Sequence, residues 1–282
     1  MQPTIQYIRK ELLPIYPPEE VEGIIKLLFW HLKRYTLTDM VLSGNNPLTP
    51  AETDAIQIIV NRLKQHEPIQ YITGESEFYG LKLKVNREVL IPRPETEELI
   101  GWIISMEENP PAIADIGTGS GNIALSLKKA FPESEVTAAD FSPEALRVAE
   151  MNANANQLSL HFFLADILQW NSYDWPGPFD VVASNPPYVR ESEMEVMRPE
   201  VVDFEPHHAL FVPDTDALKY YRALADFSIF WLKPGGKIYC EINESLGEET
   251  ARLFENKGLS GVEIKKDLQG KDRMIKAIRP AY

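Results

Sequence analysis

Hydrophobic positions recur at helical spacing throughout residues 1–70. After Pro17 and Pro18, apolar residues follow at intervals of three and four, at Val21, Ile24, Ile25, Leu28 and Phe29. A second run of this kind follows Thr49-Pro50-Ala51-Glu52, a capping box with proline at the first helical position. Residues 1–70 are therefore predicted to form a small all-helical domain.

Between residues 71 and 90 the period changes from helical to alternating. Apolar residues alternate with lysines from Leu81 to Val85, and Gly80 fits a turn. This pattern predicts a β-hairpin linker at residues 71–90. The proline-stiffened loop that follows is expected to end in a helix cap at Thr96.

From residue 91 to residue 282, short apolar strands alternate with helical segments. Strands are predicted at residues 112–115, 136–139, 161–164, 181–184 and 237–242. This alternation predicts an α/β fold with a doubly wound, mainly parallel sheet and helices on both faces, a Rossmann-like domain. The last two predicted strands, near residues 261–264 and 274–278, are expected to pair antiparallel at the edge.

Charge and cysteine content narrow the classes of function. A formal net charge of -14 disfavours broad contact with phosphate backbones, because such contact depends on clustered lysines and arginines. The longest apolar stretch, residues 24–32, is interrupted by Lys26 and His31 and is shorter than the roughly 20 residues that cross a bilayer. The first residues lack the apolar core of a signal peptide, and Cys240 is the single cysteine. We therefore expect a cytoplasmic protein with no membrane contact.

A glycine-rich turn follows the first strand of the α/β domain. Its residues are Asp115, Ile116, Gly117, Thr118, Gly119, Ser120 and Gly121. An open α/β sheet binds its ligand at such a strand end, where glycines let the backbone approach closely. Asp140 ends the next strand about 20 residues further on, the offset at which a carboxylate accepts both ribose hydroxyls. Asp140 also fits a cap for the helix near Ser142.

Residues after the third strand suit an adenine ring. Asp166 can accept the adenine amino group, while Phe141 and Ile167 flank the ring. Asp166 also fits an ordinary turn. The glycine-rich loop has no lysine or arginine to meet a pyrophosphate, whereas S-adenosylmethionine carries a positive sulfonium and no phosphate. The sequence therefore favours S-adenosylmethionine over NAD as the cofactor.

The most specific pattern is a strand that ends in Asn185-Pro186-Pro187-Tyr188. A nitrogen conjugated to a carbonyl or an aromatic ring is a poor nucleophile, because its lone pair is delocalised. The Asn185 side-chain oxygen and the Pro186 carbonyl can accept its two N–H groups, orient it and polarise it. The prolines restrict the backbone, and Tyr188 offers a flat face to a planar substrate. Asn185, Pro186 and Tyr188 are the predicted catalytic residues.

With these motifs, the sequence resembles the HemK/PrmC-type N5-glutamine methyltransferases of peptide chain release factors. The likeness covers nearly the whole chain. It includes Gln70-Tyr71-Ile72-x-Gly74, Ile91-Pro92-Arg93-Pro94-Glu95-Thr96-Glu97, Phe204-Glu205-Pro206 with Ala209-Leu210, and Asp267-Leu268 with Asp272-Arg273. The stretch at residues 91–97 separates this family from other enzymes that have the Asn-Pro-Pro-Tyr tetrapeptide.

The resemblance implies methylation of the glutamine amide in the Gly-Gly-Gln loop of class I release factors, with the helical domain gripping the factor. The expected cofactor-binding residues are Asp115, Gly117, Thr118, Gly119, Ser120, Gly121, Asp140, Phe141, Asp166, Ile167 and Asn185. The expected substrate-binding residues are Asn185, Pro186, Pro187, Tyr188, Arg93 and Glu95. Arg93 either meets the substrate loop or pairs with Glu95 or Glu97.

Two other functions fit parts of the pattern. An adenine-N6 nucleic-acid methyltransferase needs the same tetrapeptide, but it must also hold a strand by its phosphates. The segment after Tyr188 is acidic and would repel phosphates, although such acids also suit a solvated face. A binding module that has lost turnover is the second alternative, and the intact tetrapeptide argues against it. His207 and His208 have no further ligands at metal-site spacing, so no metal site is expected.

Overall fold

A computed structural model describes residues 1–42 and 46–281. The chain forms two compact units. The smaller contains Met1–Glu75 with Arg198–Phe204, and the larger contains Ser76–Met197 with Glu205–Tyr282. The domain boundaries predicted at residues 70 and 90 remain predictions. The chain returns to the smaller unit at residues 198–204, a feature that the sequence pattern did not indicate.

Helices build the smaller unit. They are α1 (Gln2–Leu12), α2 (Pro18–Lys33), α3 (Leu37–Leu42), α4 (Pro50–Leu63) and α5 (Ile69–Thr73). The predicted capping box is present, since Thr49 Oγ1 accepts the Glu52 N–H at 3.2 Å and the Glu52 carboxylate accepts the Thr49 N–H at 2.8 Å. Leu28 and Phe29 of α2 and Val60 of α4 are fully buried in one apolar core. The all-helical prediction is confirmed.

The remaining elements follow in chain order. They are β1 (Glu75–Phe78), β2 (Leu81–Lys84), α6 (Pro94–Met106), β3 (Ala112–Ile116), α7 (Asn122–Ala130), β4 (Glu135–Asp140), α8 (Pro143–Asn156), β5 (His161–Leu164), β6 (Phe179–Ser184), β7 (Val189–Arg190), α9 (Pro199–Val202), β8 (Phe211–Val212), α10 (Lys219–Trp231), β9 (Leu232–Glu241), α11 (Gly247–Asn256), β10 (Ser260–Lys266) and β11 (Asp272–Ile278). Strands β1 and β2 form the expected hairpin. Helix α9 belongs to the smaller unit, where Arg198 pairs with Glu20 at 2.9 Å.

Seven strands form the main sheet, in the order β10-β11-β9-β6-β3-β4-β5. Strands β5, β4, β3, β6 and β9 are parallel, and β11 is antiparallel to both of its neighbours. The central strands are apolar on both faces because helices cover both, as the fully buried Val181, Val182 and Ala183 of β6 illustrate. The predicted doubly wound sheet with an antiparallel edge pair is confirmed.

The strand order places the site. The chain runs outward from β3 through β4 to β5, and then crosses back to β6 on the other side of β3. A ligand crevice is expected where the order reverses, at the carboxyl ends of the strands. The glycine-rich turn, Asp140 and Asn185 follow these strand ends and therefore meet at one edge of the sheet.

The expected helix cap at Thr96 is wrong. Helix α6 begins at Pro94 with Arg93 at the N-cap position, because proline is well suited to a first helical turn. Thr96 thus lies within that first turn, and its buried hydroxyl donates to Glu241 of β9 at 2.7 Å. Within residues 1–42 and 46–281, every helix falls short of the length and hydropathy needed to cross a membrane.

Candidate active site

A cavity of about 270 Å³ opens at the carboxyl ends of the parallel strands. Most of the residues proposed from the sequence line it, namely Arg93, Gly117, Thr118, Gly119, Ser120, Asp140, Phe141, Asp166, Ile167, Asn185, Pro186 and Pro187. Asp115, Gly121, Glu95 and Tyr188 lie outside its lining. The structure therefore brings the predicted cofactor residues together with the first three residues of the tetrapeptide.

Two positions of the turn require glycine for different structural reasons. Gly119 has a φ of +54°, and its N–H donates to Asp140 Oδ2 at 2.9 Å, so it joins the ends of β3 and β4. Gly121 has a φ of +82°, and a Cβ there would lie 3.1 Å from the Ala149 side chain. Gly121 thus allows helix α8 to pack closely against the turn, and this packing is its visible contribution to the site.

Asp140 is buried and held from two sides. Its Oδ2 accepts the Gly119 N–H, and its Oδ1 accepts the Ser142 N–H at 3.0 Å. Burial raises the pKa of Asp140, while these backbone bonds oppose the rise. The cap of α8 is Ser142, whose hydroxyl accepts the Ala145 N–H at 3.1 Å, so the alternative role of Asp140 as the cap is excluded. Each carboxylate oxygen keeps acceptor capacity for a ribose hydroxyl.

Buried polar atoms beneath the turn indicate a ligand. Asp115 Oδ2 accepts the Thr118 hydroxyl at 2.7 Å and the Ala124 N–H at 3.0 Å. Asp115 Oδ1 and Ser120 Oγ are buried and have no hydrogen-bond partner among the described residues. Burial raises the pKa of Asp115 to about 7. Unpaired buried atoms are rare because they cost free energy, so they suggest polar groups of an absent molecule.

The charges around the cavity suit a cationic ligand without phosphates. Glu88, Asp140 and Asp166 supply carboxylates. Among the described lining residues, the basic side chains are Arg93 and His208. Arg93 forms an ion pair of its own, and His208 packs edge-on against the Phe141 ring with centroids 5.2 Å apart. These residues fit S-adenosylmethionine, which presents a sulfonium, an ammonium and ribose hydroxyls.

The expected adenine region has Asp166, Ile167 and Phe141 in place. Asp166 Oδ1 accepts the Leu168 N–H at 2.9 Å, so the carboxylate orders a turn, as the alternative interpretation expected, and it also lines the cavity. Phe141 is 51% exposed, which leaves its face available for stacking. Tyr220 of α10 also lines this cavity, and no sequence pattern distinguished it. Within the described part of the chain, no group of three or more His, Cys, Asp or Glu side chains is placed to hold a metal ion.

Asn185 is held by a buried chain of side chains. Its Nδ2 donates to Thr96 Oγ1 at 3.2 Å, and the Thr96 hydroxyl donates to Glu241 Oε2 at 2.7 Å. The Tyr188 hydroxyl donates to Glu241 Oε1 at 2.7 Å. Tyr188 thus lies beside the cavity and supports its wall, and its role as a flat face for the substrate stays a prediction. Sequence reasoning missed Thr96 and Glu241 as parts of the site.

The loop at residues 91–97 is tied to a distant segment. Arg93 donates to Glu205 Oε1 at 2.5 Å, and Glu205 Oε2 accepts the Ile91 N–H at 3.2 Å. The alternative in which Arg93 pairs with Glu95 or Glu97 is wrong, because its ion-pair partner is Glu205, and Glu97 accepts the Tyr79 N–H at 2.6 Å. Two stretches that carry the family resemblance thus meet at one ion pair, in which Glu205 is buried and Arg93 is partly exposed.

Comparisons with known proteins agree with this geometry. The model of the methyltransferase small domain matches residues 103–202, and that of the PrmC N-terminal domain matches residues 5–74. A release factor glutamine methyltransferase of Bacteroides thetaiotaomicron is 42% identical over 280 residues, covering 97% of this chain and 98% of the relative. The Flavobacterium psychrophilum protein of the same name is 40% identical over 270 residues, covering 94% of each.

A solved structure supports the fold. A 16S rRNA methyltransferase of T. thermophilus, solved with AdoMet and guanosine, matches with a TM-score of 0.53 at 16% identity. The match covers 73% of this chain and 49% of that one. At this identity the likeness concerns the fold alone.

Proposed function

Because this chain belongs to the release factor glutamine methyltransferase family, we propose that it methylates the N5 amide nitrogen of the glutamine in the Gly-Gly-Gln motif of class I release factors. The methyl donor is S-adenosylmethionine. The observation that carries the proposal is that Asn185 and Pro186 line the same cavity as Asp140. A neutral pair of acceptors therefore lies beside an acid-lined pocket suited to a cationic methyl donor.

Different residues around the pocket would contact different parts of the methyl donor. Asp140 would accept the ribose hydroxyls, and Phe141 and Ile167 would flank the adenine, whose amino group Asp166 would accept. Ser120 Oγ, buried and without a partner among the described residues, would meet the amino-acid part, and Asp115 Oδ1 lies buried beneath the same turn. S-adenosylmethionine supplies a methyl group on a positively charged sulfur, which makes that carbon electrophilic.

Asn185 and Pro186 act on the nucleophile. The Asn185 side-chain oxygen and the Pro186 carbonyl would each accept one N–H of the glutamine amide. Two fixed acceptors orient the nitrogen and localise its lone pair, and they bind more strongly as positive charge develops during formation of the N–C bond. The methylated nitrogen is strongly acidic and releases its extra proton to water, so no histidine or carboxylate is required as a base.

The smaller unit is the proposed docking surface for the body of the release factor. The match of residues 5–74 to the PrmC N-terminal domain supports this assignment, because this unit is separate from the generic methyltransferase fold. A glutamine on a flexible loop offers few contacts of its own. A second contact on the same partner raises the effective concentration of the loop at the cavity.

Mass spectrometry tests the proposal directly. A release factor purified without the modification is incubated with this protein and S-adenosylmethionine, and the Gly-Gly-Gln peptide is sequenced in the spectrometer. We expect the mass gain of one methyl group on the glutamine, and no gain with the Asn185→Ala variant. A release factor in which this glutamine is replaced by asparagine is the matched substrate control. Methyl transfer to an adenine-containing oligonucleotide in place of the release factor would refute the proposal.

A further inference from the structure

The orientation of the Asn185 amide follows from a count of protons. The Thr96 hydroxyl has one proton, and it is directed to Glu241 Oε2 at 2.7 Å. Thr96 Oγ1 can therefore only accept from Asn185, so the amide group that faces it at 3.2 Å must be the NH₂ group. The Asn185 oxygen then points away from Thr96 and is available as an acceptor, which the proposed function requires.

Glu241 is the residue that directs the Thr96 proton. Its side chain is 1% exposed, and its second oxygen accepts the Tyr188 hydroxyl at 2.7 Å. Its backbone carbonyl accepts the Tyr221 hydroxyl at 3.0 Å. Glu241 also pairs in register with Met274 of β11. Both ends of the residue are thus fixed, and neither the carboxylate nor its backbone lines the cavity.

A carboxylate at this position accepts hydrogen bonds and donates none. Burial raises the pKa of Glu241, whereas the hydrogen bonds from Tyr188 and Thr96 oppose that rise. The charged form is stable there only with its acceptor positions filled, so the carboxylate draws both hydroxyl protons toward itself. If the Thr96 proton turned toward Asn185 instead, the amide would rotate and present its NH₂ group to the substrate. Two N–H groups would then face each other, and the glutamine would lose one of its two acceptors.

We propose that Glu241, acting through Thr96, is a positioning residue that fixes the Asn185 amide with its oxygen toward the substrate nitrogen. This inference rests on the proposed function and adds to it two residues outside the tetrapeptide. The hydrogen-bond chain runs from Glu241 of β9 through Thr96 of α6 to Asn185 at the end of β6. Glu241 itself touches no substrate, so its effect on turnover passes entirely through Asn185.

A pair of Thr96 variants separates orientation from packing. Thr96→Val keeps the size and removes the hydroxyl, whereas Thr96→Ser keeps the hydroxyl. We expect Thr96→Val to lower kcat by about 10-fold or more, by analogy with the loss of one fixed contact to the developing charge, with Kd for S-adenosylmethionine unchanged. Thr96→Ser should retain near-normal kcat. Glu241→Gln, which can present an NH₂ group to Thr96, should lower kcat in the same way.

Nuclear magnetic resonance provides a readout that does not depend on turnover. In protein labelled with ¹⁵N on asparagine, the side-chain NH₂ signals of Asn185, assigned by their loss in Asn185→Ala, report the bond to Thr96. We expect these signals to shift in Thr96→Val and Glu241→Gln and to stay in place in Thr96→Ser. Thermal unfolding and calorimetric titration with S-adenosylmethionine show whether each variant retains its fold.

The outcomes are distinguishable. Normal kcat in Thr96→Val, or Asn185 signals that do not move, would overturn the positioning role. Equal losses in Thr96→Val and Thr96→Ser, with cofactor affinity lost in both, would assign Thr96 to packing and would also overturn it. If the unmodified protein fails to methylate the release factor, the proposed function fails, while the Asn185 signals still test the hydrogen-bond chain.

Discussion

The two sides of the cavity hold their polar groups by different means. At the ends of β3 and β4, Asp115 and Asp140 are held by backbone N–H groups and a neighbouring threonine, all within residues 115–124 and 140–142. At the ends of β6 and β9, Asn185 is held by side chains alone, through Thr96 and Glu241. The first side depends on local backbone shape, and the second depends on residues brought together from three separate elements.

In the proposed function, one side of the cavity mainly determines the affinity for the cofactor, and the other mainly determines kcat. The β3 and β4 side, with Asp140 in the cavity lining, would hold a ligand that carries positive charge and hydroxyl groups, so this side is expected to contribute to cofactor binding. The β6 and β9 side would offer an uncharged oxygen to a nitrogen that becomes positive only during the reaction. Interactions that strengthen in the transition state raise kcat, whereas those already formed in the ground state lower KM.

The largest effect is expected for Asn185→Ala. Turnover should fall by about 10²-fold or more, because one fixed acceptor of the developing charge is removed. Single-turnover kinetics with a release factor measures this loss, and calorimetry should show a much smaller change in cofactor affinity. Circular dichroism confirms that the variant is folded. Retained turnover would show that the β6 and β9 side of the cavity does not determine kcat.

A smaller effect, on the affinity for the cofactor, is expected for Asp140→Ala on the β3 and β4 side of the cavity. Loss of hydrogen bonds to a charged acceptor costs about 1.5–3 kcal/mol, so Kd for S-adenosylmethionine should rise roughly 10- to 100-fold. At saturating cofactor, kcat should change far less. Asp166→Ala is the matched control, because this acid is only half-buried, and its loss should raise Kd by less than Asp140→Ala does. A fall in kcat with unchanged Kd would contradict the comparison.

The third prediction concerns Asp115 and the pH dependence of the free energy of unfolding. Burial raises the pKa of Asp115 from 3.8 to about 7, so between these values the folded protein binds a proton that the unfolded chain releases. Its contribution to stability is therefore present at low pH and is lost as pH rises toward 7, at no more than about 1.4 kcal/mol per pH unit.

Urea unfolding of the wild-type protein and of Asp115→Asn measures this contribution across that pH range. The variant should lack the part of the pH dependence that comes from Asp115, so the difference in unfolding free energy between the two proteins should vary with pH. A difference that stays constant across the range would show that Asp115 ionises as an ordinary carboxyl group.

Local signals made most of the fold predictable. The capping box at Thr49 predicted the start of α4, and the alternation of strands and helices predicted the parallel sheet. The glycine-rich turn and Asp140 were predicted because each lies where a predicted strand ends and a helix begins, which local sequence patterns indicate. Asn185 was predicted from its tetrapeptide, because the role of these four adjacent residues can be inferred without knowing which distant residues contact them.

The residues that were missed depend on contacts between distant parts of the chain. Thr96 was interpreted as a cap because threonine before acids suits a helix start, but Pro94 begins the helix earlier and frees the hydroxyl. For Arg93 the sequence left open contact with the substrate loop or pairing with a nearby glutamate, and its ion-pair partner is the distant Glu205. Glu241 resembles any strand residue in the sequence. Their roles arise only when β9, α6 and the segment at Glu205 are packed together.

The position of β11 affects how the protein can fold during synthesis. Strand β11 follows β10 in sequence but lies between β9 and β10 in the sheet, so β9 lacks a neighbour on that edge until residues 272–278 have been made. An apolar strand edge, here containing Ile238 and Cys240, is prone to pair with other chains. A nascent chain that stalls before residue 272 would therefore expose an aggregation-prone edge and would be a substrate for chaperones.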